Sequence, residues 1–207
     1  MAESVVQQQY NQLAKIYDHR WRSYITKTLL FLQGWAKIQP SETVLDIACG
    51  TGEFERLLLE KYPQQAILGV DISSEMLSVA REKLKDYAAL TLYQGSVTAI
   101  PVADESFDVV VCANAFHYFE SPLAALAEMR RVLKPNGRVV ILDWCKDFLF
   151  CRLYDVILSR LDPAHKQCYT QTQFHSFLTS SQFNIQAAER LRLNLVWGLM
   201  VTTAAKP

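Results

Sequence analysis

Apolar residues recur at three- and four-residue intervals near the start of the chain, which is the spacing that places them on one face of a helix. Two such sets occur, and they predict two helices before residue 40. The second helix is expected to end at residues 39–41, because Pro40 disfavours helical backbone in the residue before it. The two sets are Val6, Tyr10, Leu13, Ala14 and Tyr17, then Ile25, Thr28, Leu29, Leu32 and Ala36.

Between residues 43 and 143, short apolar runs alternate with amphipathic stretches. Apolar runs without a regular polar alternation are typical of strands that are covered on both faces. Strands that alternate with helices predict an α/β fold with a parallel, doubly wound sheet. The predicted strands are 43–48, 66–71, 90–94, 107–113 and 138–143, the predicted helices are 52–62, 74–84 and 121–133, and a turn is predicted at 134–137.

The last third of the chain has a different pattern. A strongly amphipathic helix is predicted at 150–161 and a second, short helix at 171–180. Two closing strands are predicted at 183–188 and 195–204, with a charged turn region at 189–192 between them. We found no internal repeat or low-complexity segment, and a chain of 207 residues most naturally forms one domain.

Composition excludes several classes of partner. Lysine and arginine together number 21, as do aspartate and glutamate, so the formal net charge is zero. No general basic field indicates nucleic acid or an anionic membrane as a partner, although a local basic patch remains compatible with this balance. The sequence has no secretory signal and no apolar run long enough to span a bilayer, which predicts a cytoplasmic protein without a membrane span.

The five cysteines do not indicate a metal site. Their spacing includes no C-x-x-C pair and no zinc-type histidine pattern, so we predict reduced thiols in a reducing compartment and no metal. The sequence does not indicate an oligomeric state.

A glycine loop, Asp46-Ile-Ala-Cys-Gly50-Thr-Gly52, lies between the first predicted strand and the next helix. Such a loop lies at the carboxyl edge of the sheet, where open α/β folds bind ligands. Gly50 and Gly52 lack a Cβ, so the backbone can approach a ligand closely. Asp46 would repel a phosphate at the start of the helix, so the loop favours a ligand with a positive group.

Two common nucleotide motifs do not fit this loop. A dinucleotide fingerprint requires a third glycine where the chain has Glu55, and the Gly-Lys-Ser/Thr of a phosphate-binding loop is absent. Asp71 ends the second predicted strand about 20 residues after Gly52, where a carboxylate can accept hydrogen bonds from both ribose hydroxyls. An adenosine ribose, no phosphates and a cationic tail together describe S-adenosylmethionine, which is the predicted cofactor.

Five motifs in order make the chain similar to the class I S-adenosylmethionine-dependent methyltransferases, and in particular to the group that contains the ubiquinone/menaquinone C-methyltransferases and many small-molecule enzymes. The resemblance covers residues 10–143. The motifs are Tyr10-x-x-x-Ala14-x-x-Tyr17-Asp18, Val44-Leu-Asp-Ile-Ala-Cys-Gly-Thr-Gly52, Gly69-Val-Asp-Ile-Ser73 followed by Met76, Ile100-Pro-Val102 with Phe107-Asp108, and Leu133-Lys-Pro-Asn-Gly-Arg138.

This resemblance implies a Rossmann-like, doubly wound seven-stranded sheet with an antiparallel last strand and an N-terminal helical lid. The single domain 1–207 would comprise the lid (1–40), a cofactor-binding core (41–143) and a substrate-side insertion with the closing strands (144–207). The residues implied in cofactor binding are Tyr10, Tyr17, Asp46, Ala48, Cys49, Gly50, Gly52, Asp71, Ile72, Met76, Gly95, Ser96, Val97, Ala113 and Asn114.

Some of these assignments have simpler alternatives. Packing alone would also explain Tyr10 and Tyr17, and Cys49 could be a small filler of the loop. At Gly95-Ser96 the chain departs from the family, which often has aspartate after the glycine. A serine hydroxyl can accept the same hydrogen bond, but without the assistance of a negative charge.

The acceptor side of the site is predicted from the strand ends. His117 follows the fourth strand and could take a proton from a nucleophile, although lining of the pocket is an alternative role. Tyr118, Asp143 and Trp144 are predicted to bind the substrate. The segment 144–169 is rich in aromatic and leucine side chains, which fits a small apolar or aromatic acceptor better than a nucleic acid.

The sequence thus predicts a methyltransferase that uses S-adenosylmethionine and transfers the methyl group in line to a small molecule. Two other functions remain open at this stage: an S-adenosylmethionine-binding regulator or carrier without transferase activity, and an NAD-dependent oxidoreductase.

Overall fold

The fold is organised around one seven-stranded sheet. The computed structural model describes residues 2–194 and 197–207. The strands lie side by side in the order β3-β2-β1-β4-β5-β7-β6. Their bounds are β1 (Val44–Ile47), β2 (Ile67–Asp71), β3 (Leu90–Gln94), β4 (Phe107–Ala113), β5 (Leu133–Trp144), β6 (Asn184–Arg192) and β7 (Gly198–Ala205).

Strands β1 to β5 are parallel to their neighbours within that group, whereas β7 pairs antiparallel with both β5 and β6. The predicted α/β sheet with an antiparallel last strand is therefore confirmed. Strand order reverses beside β1, since the chain builds outward to β3 and then returns to place β4 on the other side of β1. Open α/β sheets bind ligands outside the carboxyl ends of the strands at such a point.

Six helices accompany the sheet in the described part of the chain. They are α1 (Ala2–Ala36), α2 (Glu53–Lys61), α3 (Ser74–Lys83), α4 (Pro122–Val132), α5 (Leu149–Leu161) and α6 (Gln171–Ser180), and a single 3-10 turn spans Phe116–Tyr118. None of these helices combines the length and the apolar character that a membrane span requires.

Both faces of the central strands are buried, because successive side chains of β1, β4 and β5 are apolar. On one face, Val110 and Ile141 share a core with Met129 of α4 and Phe174 of α6. On the other face, alternate residues of the same strands pack against the second half of α1 and against α2. This arrangement explains why the strand sequences lack a polar alternation.

The prediction of two N-terminal helices is wrong, because α1 is one continuous helix. The residues between the two apolar sets, 18–24, include no proline or glycine. Nothing in the local backbone chemistry therefore interrupts the helix, and the polar residues only mark its exposed face.

Three features of the second half also differ from the prediction. Residues 189–192 are not a turn but the end of β6, an edge strand on which charged side chains remain exposed. The predicted turn at 134–137 is an irregularity inside β5, where Asn136 has a positive φ and the register with β4 shifts. Strand β7 begins at Gly198, and the first two residues of the predicted strand 195–204 lie outside the described residues.

Candidate functional site

The glycine loop connects β1 to α2 at the switch point of the sheet. Ala48, Gly50 and Gly52 all have a positive φ. A Cβ on Gly52 would lie 2.8 Å from a methyl group of Leu84, so that position requires glycine for packing as well as conformation. A Cβ on Gly50 would meet no atom within 4 Å, because this glycine faces open space beside the sheet edge. The loop thus leaves a cradle that a side chain on Gly50 would enter.

Asp71 joins this loop to the next strand. Its Oδ2 accepts a hydrogen bond from the backbone N–H of Gly50 at 2.8 Å, and its Oδ1 accepts one from Ser73 at 2.8 Å. Burial raises the pKa of Asp71, and these backbone donors oppose that shift. A carboxylate has about four acceptor sites, so Asp71 can still receive hydroxyl groups from a ligand.

The first half of α1 lies over the carboxyl edge of the sheet. Gln7 donates to the carbonyl of Ile72 at 2.9 Å. Asp18, the residue after Tyr17, accepts a hydrogen bond from the Thr51 hydroxyl at 2.5 Å and pairs with the ammonium group of Lys83 at 2.6 Å. These polar contacts, rather than a large apolar core, attach this part of the helix to the glycine loop and α3.

A cavity of about 300 Å³ lies between α1 and the sheet edge. This volume is at the lower end of the range for small-molecule sites. It is lined by many of the residues predicted to bind the cofactor: Tyr10, Tyr17, Ala48, Gly50, Asp71, Ile72, Met76, Gly95, Ser96, Val97, Ala113 and Asn114. We refer to it as the first cavity.

Three residues of the predicted cofactor set do not line this cavity: Asp46, Cys49 and Gly52. Asp46 and Cys49 point into the protein beneath the loop, where both are buried. The first cavity also has lining residues outside the predicted cofactor set, among them Val6, Thr98, Ala115, Phe119, Glu120 and Ser121. Most of these come from loops after β3 and β4, whose course depends on the tertiary structure.

A cluster of buried acids lies beneath the loop. Glu55 of α2 is fully buried, neither of its carboxyl oxygens has a hydrogen-bond partner, and burial raises its pKa to about 7. Burial, together with the charges of Glu55 and Asp71, also raises the pKa of Asp46. Two adjacent buried carboxyls cannot both ionise readily, so burial and mutual repulsion favour the protonated form at this pair. In the sequence, Glu55 was notable only for replacing a glycine.

A second cavity, of about 420 Å³, adjoins the first. Its walls are rich in aromatic side chains, including Trp21, Tyr24, Trp144, Tyr154 and Trp197. Four further residues line both cavities: Tyr10, Tyr17, Asn114 and Tyr118. The predicted substrate residues Tyr118 and Trp144 therefore lie on this second cavity.

His117 also lines the second cavity, and Asp143 lies behind it. Nδ1 of His117 is 2.6 Å from Oδ1 of Asp143, and the His117 backbone N–H donates to Oδ2 of Asp143 at 2.7 Å. The ring of His117 stacks on Trp144 at 4.5 Å between centroids. Since a carboxylate only accepts hydrogen bonds, Nδ1 carries the proton of this contact, and Nε2 has no hydrogen-bond partner among the described residues.

Tyr24 connects the two strand ends, although the sequence did not indicate it. Its hydroxyl donates to Asn114 Oδ1 at 2.7 Å and accepts from the indole N–H of Trp144 at 2.7 Å. Burial raises the pKa of Tyr24, so its hydroxyl remains protonated. The helix α1, the end of β4 and the end of β5 are thereby held in one hydrogen-bonded chain.

A second histidine–aspartate pair lies near the first. His165 Nε2 is 2.8 Å from Asp155 Oδ1, and the rings of His165 and His117 are 5.7 Å apart. Asp155, His165 and Cys168 together have the chemistry of a metal site, with ligand atoms within 4.8 Å of one another. However, the ammonium group of Lys146 lies 2.5 Å from Asp155 and already neutralises its charge.

Comparison with known proteins agrees with this geometry. A methyltransferase-domain family model matches residues 45–141. The demethylmenaquinone methyltransferase of Thermotoga maritima is 40% identical over 126 residues, which are 61% of this chain and 51% of that protein. The ubiquinone/menaquinone biosynthesis C-methyltransferase of Geobacter sulfurreducens is 32% identical over 181 residues, which are 84% of this chain and 68% of that protein. The chain thus spans about half to two thirds of these relatives.

Among solved structures, an S-adenosylmethionine-dependent methyltransferase of Thermotoga maritima superimposes with a TM-score of 0.80 at 17% identity, and the match covers 100% of both chains. At this identity the likeness shows the fold alone. The relationship to the Geobacter protein carries the family assignment, because it combines adequate identity with coverage of most of both chains. The chain therefore belongs to the class I S-adenosylmethionine-dependent methyltransferases, of the quinone-methyltransferase type.

Proposed function

We propose that this chain transfers a methyl group from S-adenosylmethionine to a small aromatic acceptor. The observation that carries the proposal is the adjacency of the two cavities, which share the four lining residues Tyr10, Tyr17, Asn114 and Tyr118. Methyl transfer requires donor and acceptor to be held in line at near-attack distance, and such positioning is worth roughly 7–11 kcal/mol. Two cavities that meet at one point supply this arrangement.

The first cavity fits the donor. Its lining residues within the described chain include the carboxylates Asp71 and Glu120 but no lysine or arginine, which suits a cationic ligand without phosphates. The cradle beside Gly50 is open to the methionine part of the donor. Asp71 would hold the ribose hydroxyls, while Ile72 and Met76 would pack on the adenine.

Other predicted donor contacts belong to the same proposal. Ser96 and Val97 would meet the adenine amino group from the loop after β3. Asp46, Cys49 and Gly52 would act through the shape and charge of the loop, since they lie outside the cavity wall. Helix α1, with Tyr10 and Tyr17, would be the lid that excludes water during transfer.

The second cavity fits an aromatic acceptor, because its wall is formed by flat, apolar rings. The names of the relatives suggest a quinol ring as the acceptor. Bound S-adenosylmethionine would supply an electrophilic methyl group on a sulfonium. The acceptor loses one proton overall as it gains the methyl group, and Nε2 of His117 is placed to receive that proton from an acceptor hydroxyl.

The location of the reaction is also part of the proposal. All five cysteines are buried and unpaired, which suits the reducing environment of the cytoplasm.

The direct test combines binding and turnover. Calorimetry should show binding of S-adenosylmethionine and S-adenosylhomocysteine, and incubation of labelled donor with soluble quinols should transfer the label. Binding without transfer across a broad acceptor screen would instead indicate a regulator or carrier. Tighter binding of NAD than of S-adenosylhomocysteine would contradict the proposal and favour an oxidoreductase.

A further inference from the structure

Helix α5 is amphipathic, but its apolar stripe faces solvent. Leu149, Leu153, Ile157 and Leu161 recur every four residues, and they are 73%, 57%, 40% and 76% exposed. Phe150 beside them is also exposed. A surface helix normally turns such a stripe towards the core. Here the stripe forms a contiguous apolar surface, which usually marks an interaction site.

Helix α5 buries few of its residues against the rest of the protein. Only Cys151 and Asp155 of this helix are fully buried. Asp155 accepts hydrogen bonds from His165 and from the backbone N–H of Cys168, and it pairs with Lys146. These contacts determine the rotation of α5 about its own axis. They hold Asp155 inward and so leave the leucines exposed to solvent.

The exposed charges on α5 itself are positive. Arg152 and Arg160 project from α5 itself, and Arg192 lies over the ring of Phe148 at the start of the helix, 5.2 Å from its centroid. The one carboxylate on α5, Asp155, is buried and neutralised. An exposed apolar stripe with arginines at its edges is complementary to the interface of an anionic bilayer.

The same helix forms part of the second cavity. Tyr154 and Leu158 line that cavity, one or two positions away from the exposed Leu153 and Ile157. An apolar molecule that reached the exposed stripe would therefore need to pass only the width of the helix to enter the cavity.

We propose that α5 docks on an anionic lipid bilayer and admits an acceptor with a hydrocarbon tail to the second cavity. The delivery of an acceptor rests on the proposed function, whereas the docking itself does not. The charges argue against a second copy of the chain as the occupant. A two-fold symmetric contact places the same patch on both sides, so the arginines of α5 would face one another.

Vesicle flotation tests the docking. The wild-type chain should float with vesicles of phosphatidylcholine and phosphatidylglycerol, and more weakly with phosphatidylcholine alone. Leu153→Glu should reduce the bound fraction about tenfold or more, since it removes a leucine that would insert into the bilayer and adds a charge that anionic lipids repel. Leu123→Glu, at a leucine of α4 with 50% exposure, is the matched control and should float like the wild type. The double variant Arg152→Ala with Arg160→Ala should lose about fivefold in vesicle affinity for each arginine, and this loss should disappear at high salt.

Activity separates this inference from the proposed function. Leu153→Glu should methylate a short-tailed acceptor in solution at the wild-type rate and lose activity only on an acceptor embedded in vesicles. The docking proposal is overturned if the wild type does not float, if Leu153→Glu floats equally well, or if ultracentrifugation shows a dimer that this variant dissociates. If no acceptor is methylated under any condition, the proposed function fails while flotation still decides the docking.

Discussion

His117 and Asp143 form one hydrogen-bonded unit across the ends of two adjacent strands. The carboxylate of Asp143 lies 2.6 Å from Nδ1 of the ring and 2.7 Å from the backbone nitrogen of the same residue. It therefore determines both the position and the tautomer of the imidazole. The free Nε2 atom is buried on the wall of the aromatic cavity, where a bound acceptor would be its first partner.

If His117 is the base, as proposed, its removal should affect turnover and not donor binding. His117→Gln is expected to lower the rate of methyl transfer roughly a hundred- to ten-thousand-fold, as for other lost general bases. The affinity for S-adenosylmethionine should stay within about twofold, because His117 does not line the first cavity. Single-turnover assays with labelled donor and calorimetry measure these two effects. His19→Gln, an exposed histidine of α1, is the control and should retain full activity.

Asp71 is expected to dominate binding of the donor. Asp71→Ala removes the acceptor of the ribose hydroxyls and should weaken binding at least about tenfold, or about 1.4 kcal/mol. Calorimetry should be carried out below the melting transition, because the same change also leaves the N–H groups of Gly50 and Ser73 without their acceptor. Asp86→Ala, at an exposed aspartate after α3, should bind normally. Unchanged affinity in Asp71→Ala would exclude the ribose role.

Substitution of alanine at two glycines that have open space around them, Gly50 and Gly34, should change the free energy of unfolding in opposite directions. Gly50 has a φ of +57°, so Gly50→Ala should lower the free energy of unfolding by about 1–2 kcal/mol. Its methyl group should also obstruct the first cavity and weaken donor binding. Gly34 lies within helix α1, and Gly34→Ala should raise the free energy of unfolding by about 0.5–1 kcal/mol. Urea titration of both variants measures the difference, and equal effects would contradict this interpretation of the loop.

Glu55 should make stability depend on pH. Its pKa in the folded chain is about 7, above the ordinary value of 4.5, so the folded state holds a proton that the unfolded state releases. This stabilisation is fully present below about pH 4.5 and is lost as the pH rises through about 7. Glu55→Gln should make the free energy of unfolding nearly independent of pH over this range. At about pH 8 it should raise the free energy of unfolding by on the order of 3 kcal/mol.

Denaturant unfolding at about pH 5 and about pH 8 checks this expectation. Glu60→Gln on the same helix is the control, because Glu60 is half exposed and its change should leave the pH profile as in the wild type. If the stability of the wild type rose between about pH 5 and about pH 8, and Glu55→Gln removed that rise, the dependence would have the opposite sign and would contradict the raised pKa of Glu55.

Local chemistry explains which parts of the site could be predicted. The glycine loop and Asp71 were found because they follow strands whose apolar pattern is clear, and parallel strands end at one edge of the sheet. Glu55 was not recognised as an acid of the site, because its direction depends on how α2 packs over the loop. Tyr24 was missed for a similar reason, since its partners Asn114 and Trp144 lie far away in the chain.

The sequence by itself determined the order of the elements, the position of the donor loop and the amphipathic character of α5, because these depend on neighbouring residues. Only the tertiary structure decided that α1 lies across the sheet edge and that the two cavities share the wall at Tyr118. It also decided the outward direction of the leucines of α5. Periodicity shows that a helix has an apolar face, but the contacts of Asp155 with the rest of the chain determine which way that face points.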